Sequence, residues 1–257
     1  MSRYIAQRFI MRQKAHRSNR RRRSLLPCSS NLTEVAMEAA KAAIAGGISV
    51  LEIVESTPEF ICLVRSVQVL QQLVKEHPTM ALEVNPPKVY EFGEHIIVGT
   101  VLKIEDAKSA INVRAKFLMS PATVKDIMEM DYVQSGEILY ISGTMTPTEI
   151  LSACDEGAKI VKIYPVSALG GFQYISTLKK AFPHIFMVAC QGITIDSIGE
   201  YILRGASAVV LSYAIFDKDA IAQHDLDKIQ KLAHSATLVD NKSVNSMFPQ
   251  LIRLFHN

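Results

Sequence analysis

A regular alternation between short apolar segments and segments with helical patterning is the feature that most constrains the fold of this chain. Seven runs rich in β-branched and other apolar residues recur, most of them about 20 to 30 residues apart, and helical patterning follows each one. The runs occupy residues 48–54, 96–102, 117–121, 138–144, 160–165, 186–190 and 208–212. Repeated βα units of this kind predict an α/β fold with a parallel sheet.

The sheet is expected to close into a barrel rather than to remain open. Neither a GxGxxG motif after the first strand nor a GxxxxGK[ST] motif is present, so the fingerprints of dinucleotide-binding and P-loop folds are missing. The length of 257 residues is typical of an eight-stranded α/β barrel, which uses about 250 residues as one domain. We therefore predict a single (β/α)8 barrel, with catalytic groups at the carboxyl ends of its strands.

Two irregularities interrupt the expected barrel. The eighth strand must precede the first helix, and the best segment for it, Leu25–Ser29, is a weak strand. Residues 81–97 form an extra segment where a loop of about 2 to 6 residues would be expected. That segment is interpreted either as an insertion that the barrel tolerates or as a functional lid.

The first 30 residues are interpreted as a basic arm, and residues 31–257 as the barrel domain. The arm carries nine of the 28 basic residues and no acidic one, which leaves 19 basic against 25 acidic residues, or −6, for the remainder. The barrel domain is therefore not expected to bind nucleic acid. The arm fits a transit peptide for a plastid or another organelle, a polyanion-binding or nuclear-localisation cluster at Arg20–Arg23, or a tail without function. Without such targeting, a cytoplasmic location is expected.

Several other classes of protein receive no support from the sequence. No apolar run approaches the roughly 18 residues that span a bilayer, so no membrane association is predicted. The four cysteines are scattered and form no CxxC pair, which favours free thiols over a disulfide framework or a zinc site.

Two ionisable residues stand inside apolar runs, Glu52 and Lys162. A lysine in a buried strand must desolvate its ammonium or become a neutral amine, which can condense with a carbonyl to form a Schiff base. If both side chains face the inside of a barrel, the amine can act as nucleophile while the carboxyl group transfers protons. Two other interpretations remain open: a lysine at the sheet edge with its ammonium in water, and a structural ion pair in the barrel core.

The order of these motifs resembles that of the class I KDPG/KHG aldolases. The motifs are Leu-Glu-Ile-Val at 51–54, Val-Gly-Thr-Val-Leu at 98–102, Phe-Leu-Met-Ser-Pro at 117–121, and Lys-Ile-Tyr-Pro at 162–165 followed by Gly170 and Gly171. The resemblance covers about residues 31–236. It implies a TIM barrel, usually a homotrimer, that cleaves 2-keto-3-deoxy-6-phosphogluconate or 4-hydroxy-2-oxoglutarate without a metal or an organic cofactor.

The resemblance also implies roles for individual residues. Lys162 would form the Schiff base, and Glu52 would be the general acid and base. The implied substrate-binding residues are Thr100, Pro121, Tyr164, Ser56, Gly192 and Ser212. Two parts of the pattern differ from the family. Ser56 stands where an Arg usually holds the substrate carboxylate. The phosphate-binding loops are also changed, to Cys-Gln-Gly at 190–192 and Leu-Ser-Tyr at 211–213.

Three functional hypotheses follow. The first is an aldolase that cleaves a 2-keto-3-deoxy sugar acid or a 4-hydroxy-2-oxo acid to pyruvate and an aldehyde, which is glyoxylate for 4-hydroxy-2-oxoglutarate. The second is a catalytically impaired barrel that serves as a binding or structural subunit, as the altered carboxylate and phosphate positions suggest. The third is a polyanion-binding protein that acts through its arginine-rich arm.

Overall fold

A barrel of eight parallel strands organises the chain. The computed structural model describes residues 7–11, 30–48, 50–54, 96–112 and 117–239. The strands pair in chain order, and β8 pairs with β1 to close the sheet. They are β1 Gln7–Met11, β2 Val50–Val54, β3 Ile96–Gly99, β4 Phe117–Met119, β5 Leu139–Thr144, β6 Ile160–Ile163, β7 Phe186–Cys190 and β8 Ala208–Leu211. The prediction of an α/β fold with a parallel sheet is confirmed.

The first strand is not where the sequence predicted it. Strand β1 is Gln7–Met11, which pairs with both β2 and β8, and not the weak candidate Leu25–Ser29. Part of the segment assigned to a basic arm therefore belongs to the sheet. The prediction missed it because only three consecutive apolar residues, Phe9 to Met11, stand among arginines.

Helices connect the strands. They are α1 Ser30–Ala45, α2 Ile104–Asn112, α3 Lys125–Met128, α4 Asp131–Gln134, α5 Pro147–Asp155, α6 Phe172–Ala181, α7 Ile198–Leu203 and α8 Lys218–Ala222. Residues 226–239 are also helical. Most of the expected insertion, residues 81–95, lies outside the described residues, whereas Ile96 and Ile97 belong to β3.

Helix α5 shows how local sequence fixes one of these elements. Thr146 precedes it with an extended backbone, and its hydroxyl accepts a hydrogen bond from the Glu149 N–H at 3.3 Å. The Glu149 carboxylate accepts in return from the N–H groups of Met145 and Thr146, at 2.5 and 2.9 Å. The Met145 N–H, followed by that of Thr146, lowers the pKa of this carboxyl group. Pro147, which has no N–H to leave unpaired, occupies the first helical position.

Two apolar clusters fill the fold, one on each side of the sheet. The larger one combines strand residues with helix residues such as Ile150 and Ile175, so it lies between the barrel and its helices. The smaller one contains only strand residues, which are Phe117, Met119, Ile141, Val188, Cys190, Ala208 and Val210, with Leu139, Ile160 and Tyr164 packed against them. Because side chains alternate between the two faces of a strand, this second cluster is the barrel interior.

No helix in the part of the chain that the structure describes is long and apolar enough to cross a membrane.

Candidate active site

Lys162 lies inside the barrel. It stands on β6 between Ile160 and Tyr164, both of which pack against the interior cluster, and it is only 3% exposed. The interpretation of this residue as an edge lysine with its ammonium in water is therefore wrong. The Lys162 Nζ atom is 5.2 Å from the centre of the Tyr164 ring, within cation–π range. The Lys162 side chain is thus shielded from bulk water on the interior face of the barrel.

The neighbours of Lys162 on the adjacent strands are small. Its Cα partners are Gly143 on β5 and Val188 on β7. Gly143 has no room for a side chain, since a Cβ atom there would lie 2.1 Å from the Pro121 carbonyl carbon. The Pro121 backbone therefore lies directly against β5 at the level of Lys162, and the structure brings these two predicted site residues together.

Hydrogen bonds hold the loop that carries Pro121. The Thr123 hydroxyl is 2.6 Å from that of Ser142, and the Tyr140 hydroxyl accepts from the Val124 N–H at 3.1 Å and donates to the Ala122 carbonyl at 3.3 Å. Burial raises the pKa of Tyr140, so its hydroxyl keeps its proton and stays a donor. These bonds hold the residues that directly follow Pro121.

Thr100 lies at the neighbouring strand end. It follows β3 with a φ of 63°, a left-handed conformation that few non-glycine residues adopt. The next residue, Val101, donates its N–H to the Met119 carbonyl at 3.1 Å and accepts a hydrogen bond from the Ser120 hydroxyl. These bonds join the ends of β3 and β4, so Thr100 and Pro121 belong to one connected rim.

The rim continues at the ends of β7 and β8. Gln191 and Gly192 follow β7 with φ of 83° and 75°. The Ser167 hydroxyl donates to the Gln191 side-chain carbonyl at 2.9 Å. Ser212, which follows β8, is half-buried. Its carbonyl oxygen accepts hydrogen bonds from the backbone N–H groups three and four residues later, at 3.2 and 2.9 Å. Gly192 and Ser212, predicted from the resemblance, therefore both lie at the carboxyl edge of the barrel.

A further contact joins the ends of β5 and β6. The Tyr174 hydroxyl donates to the Met145 carbonyl at 2.6 Å, which ties helix α6 to the start of helix α5. Burial, with a smaller contribution from the Glu149 charge, raises the pKa of Tyr174. This bond therefore links the residue after β5 to the helix that follows β6.

Glu52 can be placed through the backbone register. Its Cα partner is Ile97 on β3, whose own partner on β4 is Phe117, a member of the interior cluster. Paired positions in a parallel sheet share a face, so position 52 belongs to the interior face, as position 162 does. Ser56 lies outside the described residues.

The structure also identifies rim residues that the sequence analysis did not select. Gly143 could have been noticed, because a glycine inside a strand often marks close approach of another backbone. No local sequence pattern marks Ser167 as a site residue, because its hydrogen-bond partner Gln191 is 24 residues away. Among the described residues, no group of three or more His, Cys, Asp or Glu residues could hold a metal ion.

Comparisons with known proteins agree on one family. The sequence model described as "KDPG and KHG aldolase" matches residues 20–232. The KHG/KDPG aldolase of Escherichia coli K12 is 26% identical over 204 residues, which are 79% of this chain and 85% of that protein. The 2-dehydro-3-deoxy-phosphogluconate aldolase of Dickeya dadantii is 25% identical over 80% of this chain and 86% of its own length.

A solved structure of a KDPG aldolase is also similar to this chain. The KDPG aldolase of Legionella pneumophila superposes with a TM-score of 0.64 at 25% identity, over 79% of this chain and 88% of that one. That crystal structure holds pyruvate, captured at low pH as a covalent carbinolamine intermediate.

Proposed function

Since this chain belongs to the KDPG and KHG aldolase family, we propose that it cleaves a 2-keto-3-deoxy sugar acid or a 4-hydroxy-2-oxo acid through a Schiff base on Lys162. The observation that carries the proposal is the burial of Lys162, 3% exposed, in the barrel interior. The captured pyruvate in the Legionella protein supports a 2-oxo acid as the ligand class.

The proposed reaction begins at the substrate ketone. The Lys162 amine adds to C2 to form a carbinolamine, and loss of water gives the iminium ion. The hydroxyl at C4 then loses its proton, the C3–C4 bond breaks, and its electron pair moves through C3 to the nitrogen as an enamine. An aldehyde leaves, C3 takes up a proton, and water releases pyruvate from the lysine.

Glu52 is proposed as the group that moves these protons. Its register position on the interior face is compatible with access to the carbinolamine hydroxyl, the C4 hydroxyl and the enamine carbon. A carboxyl group alternates between acid and base in such a sequence, because each proton that it accepts is needed in a later step.

The remaining residues are proposed to bind the substrate. Thr100, Pro121 and Tyr164 would enclose the pyruvate part, next to the lysine. Ser56, in place of the usual Arg, would give the substrate carboxylate one neutral hydrogen bond in place of a charged bidentate pair. The distal part of the substrate would lie near Gly192 and Ser212.

Turnover is the first test of this proposal. The full chain should release pyruvate from a 4-hydroxy-2-oxo acid, as measured by reduction of the product with lactate dehydrogenase and NADH. The variant Lys162→Met, which has similar volume and no amine, should lose turnover. Lys159→Met, the same substitution at an exposed position before β6, should retain it. Equal turnover in the two variants would refute the role of Lys162.

We also propose, from the family resemblance, that the eight strands belong to the full (β/α)8 pattern of a TIM barrel, with a helix after each strand, and that the chain forms a homotrimer. Light scattering coupled to size-exclusion chromatography should give three times the chain mass of 28.5 kDa. Targeting of the chain to an organelle by residues 1–30 is a separate proposal, tested by the location of a fluorescent fusion. Cleavage near residue 30 would remove strand β1.

A second candidate function is a binding or structural barrel without catalysis. It is favoured by Ser56 in the position of the carboxylate-binding Arg and by Gln191 in the altered phosphate loop. A folded oligomer that binds no pyruvate at millimolar concentration would support this alternative.

A further inference from the structure

The carboxyl ends of β6 and β7 carry a rigid polar contact that the proposed chemistry at Lys162 does not use. Gln191 has a φ of 83°, and its side-chain carbonyl accepts the Ser167 hydroxyl at 2.9 Å. A Cβ atom on Gly192 would lie 2.4 Å from the Ser167 Cβ and Oγ atoms, so the two loops are in direct contact there. Ser167 therefore fixes both the side chain of Gln191 and the backbone beside it.

This contact lies where the far end of a bound substrate should reach. Lys162 pairs with Val188, and Gln191 follows three residues later, about 10 Å further towards the carboxyl edge at about 3.3 Å per residue. Gln191 and Ser167 are both exposed at that edge. A 2-oxo acid attached at C2 to Lys162 would extend its distal carbons towards the pair.

The chemistry of the pair favours a neutral group over a phosphate. The bond from Ser167 occupies the Gln191 carbonyl and leaves the amide N–H groups as uncharged donors. Phosphate is usually held by cations, or by N–H groups that converge in a backbone with alternating αR and αL residues. Gln191 and Gly192 both have positive φ, so this pair of residues does not form such a nest.

One cation lies at the neighbouring strand end and must be considered. The Lys218 Nζ atom is 5.0 Å from the centre of the Tyr213 ring, and Tyr213 follows Ser212. The ammonium group is thus within cation–π range of the ring, and Tyr213 itself is 44% exposed. A phosphate that bound here would depend on Lys218 and not on Gln191, which gives the two possibilities separate tests.

We propose that Ser167 and Gln191 determine specificity for the distal end of the substrate. Gln191 donates an amide hydrogen bond to a hydroxyl-bearing, uncharged tail, and Ser167 is a positioning residue that orients the amide. The preferred substrates are therefore unphosphorylated 4-hydroxy-2-oxo acids. This inference rests on the proposed aldolase function and adds the substrate class.

The test compares two substrates with the same carbon chain, one with and one without a terminal phosphate. The full chain should cleave the unphosphorylated acid with a kcat/KM at least 10-fold higher. Higher kcat/KM for the phosphorylated acid would overturn the inference.

Variants assign the preference to the pair. Gln191→Gly should raise KM for the unphosphorylated acid about 5-fold with little change in kcat, the size of effect expected for one neutral hydrogen bond. Ser167→Ala should act in the same direction, and the double variant should be no worse than Gln191→Gly alone, because Ser167 acts through Gln191. Independent, multiplying effects would contradict that coupling.

Two controls complete the design. Ser235→Ala removes an exposed hydroxyl that bonds only within the last described helix, so it should leave both substrates unaffected. Lys218→Gln should not change the ratio between the substrates. A selective loss of the phosphorylated acid in Lys218→Gln would assign phosphate binding to Lys218 and overturn the inference.

Trapping with pyruvate separates this inference from the function on which it rests. Pyruvate has no tail, so borohydride should fix it to the chain whatever the distal preference is. Failure to trap pyruvate would refute the aldolase proposal. Normal trapping together with a preference for the phosphorylated acid would refute only the role of Ser167 and Gln191.

Discussion

Substitution of Gly143 by alanine should lower the stability of the fold and disturb the site. The size of both effects follows from distances in the structure. The new Cβ atom would lie 2.1 Å from the Pro121 carbonyl carbon, 2.3 Å from its oxygen and 2.4 Å from the Ala122 nitrogen. Real Cβ atoms essentially never lie closer than 3.0 Å to such atoms and ordinary contact begins at 3.4 Å, so the backbones of Gly143 and Pro121 must separate by about 0.9 to 1.3 Å. These are backbone atoms, and they cannot rotate away as a side chain could.

The expected cost follows from that displacement. Overpacking of a core usually costs about 1 to 3 kcal/mol, and a backbone overlap belongs at the upper end. A loss of about 3 kcal/mol corresponds to a decrease in Tm of about 6 to 12 °C for a domain of this size. Because Gly143 pairs with Lys162, a shift of about 1 Å in Pro121 should also lower kcat about 100-fold.

The assay combines thermal unfolding with turnover measured well below the Tm. Gly157→Ala is the matched control: nothing lies within 4 Å of its added Cβ, although its φ of 100° disfavours alanine. That control should cost about 1 kcal/mol and leave kcat unchanged. If Gly143→Ala melted within about 2 °C of the unsubstituted chain with normal kcat, the placement of Pro121 against β5 would be wrong.

Three further predictions concern proton transfer, the rim and pH. Glu52→Gln should slow turnover strongly while some pyruvate trapping remains; unchanged turnover would remove Glu52 from the proton-transfer role. Tyr140→Phe leaves the Val124 N–H without its acceptor and should cost about 1 to 3 kcal/mol, seen as a lower urea midpoint. Glu149→Gln should lower the Tm by about 2 °C at pH 7. The reason is that the backbone N–H groups of Met145 and Thr146 hold the pKa of the Glu149 carboxyl group below its usual 4.5. This stabilisation is complete above pH 4.5 and is lost as the pH falls through the lower folded-state pKa, so a difference that persisted at pH 2 would contradict it.

Most strands of the sheet could be predicted from the sequence, because the composition of each segment by itself indicates a strand. The runs at 138–144, 160–165 and 186–190 contain β5, β6 and β7, since each buried strand is a short apolar segment with a clear end. Strand β1 escaped prediction because pairing with β2 and β8, and not its own composition, makes Gln7–Met11 a strand.

The site could be predicted from the sequence only where a residue differs in polarity from the residues around it. Lys162 stands out as a charge in an apolar strand, but its burial depends on closure of the barrel, which no single segment reveals. Gly143 and Ser167 owe their importance to contacts with Pro121 and Gln191, which lie 22 and 24 residues away in sequence. Contacts of this kind are set by the packing of rim loops, so a local pattern cannot predict them.

Borohydride trapping shows directly whether Lys162 forms a Schiff base. The full chain is incubated with pyruvate, reduced, digested and mapped by mass spectrometry, with Lys162→Met treated in parallel. We expect one reduced pyruvate on the peptide that carries Lys162 and none on that peptide in the variant. An unmodified Lys162 in the folded chain, or equal labelling of surface lysines in both proteins, would contradict it.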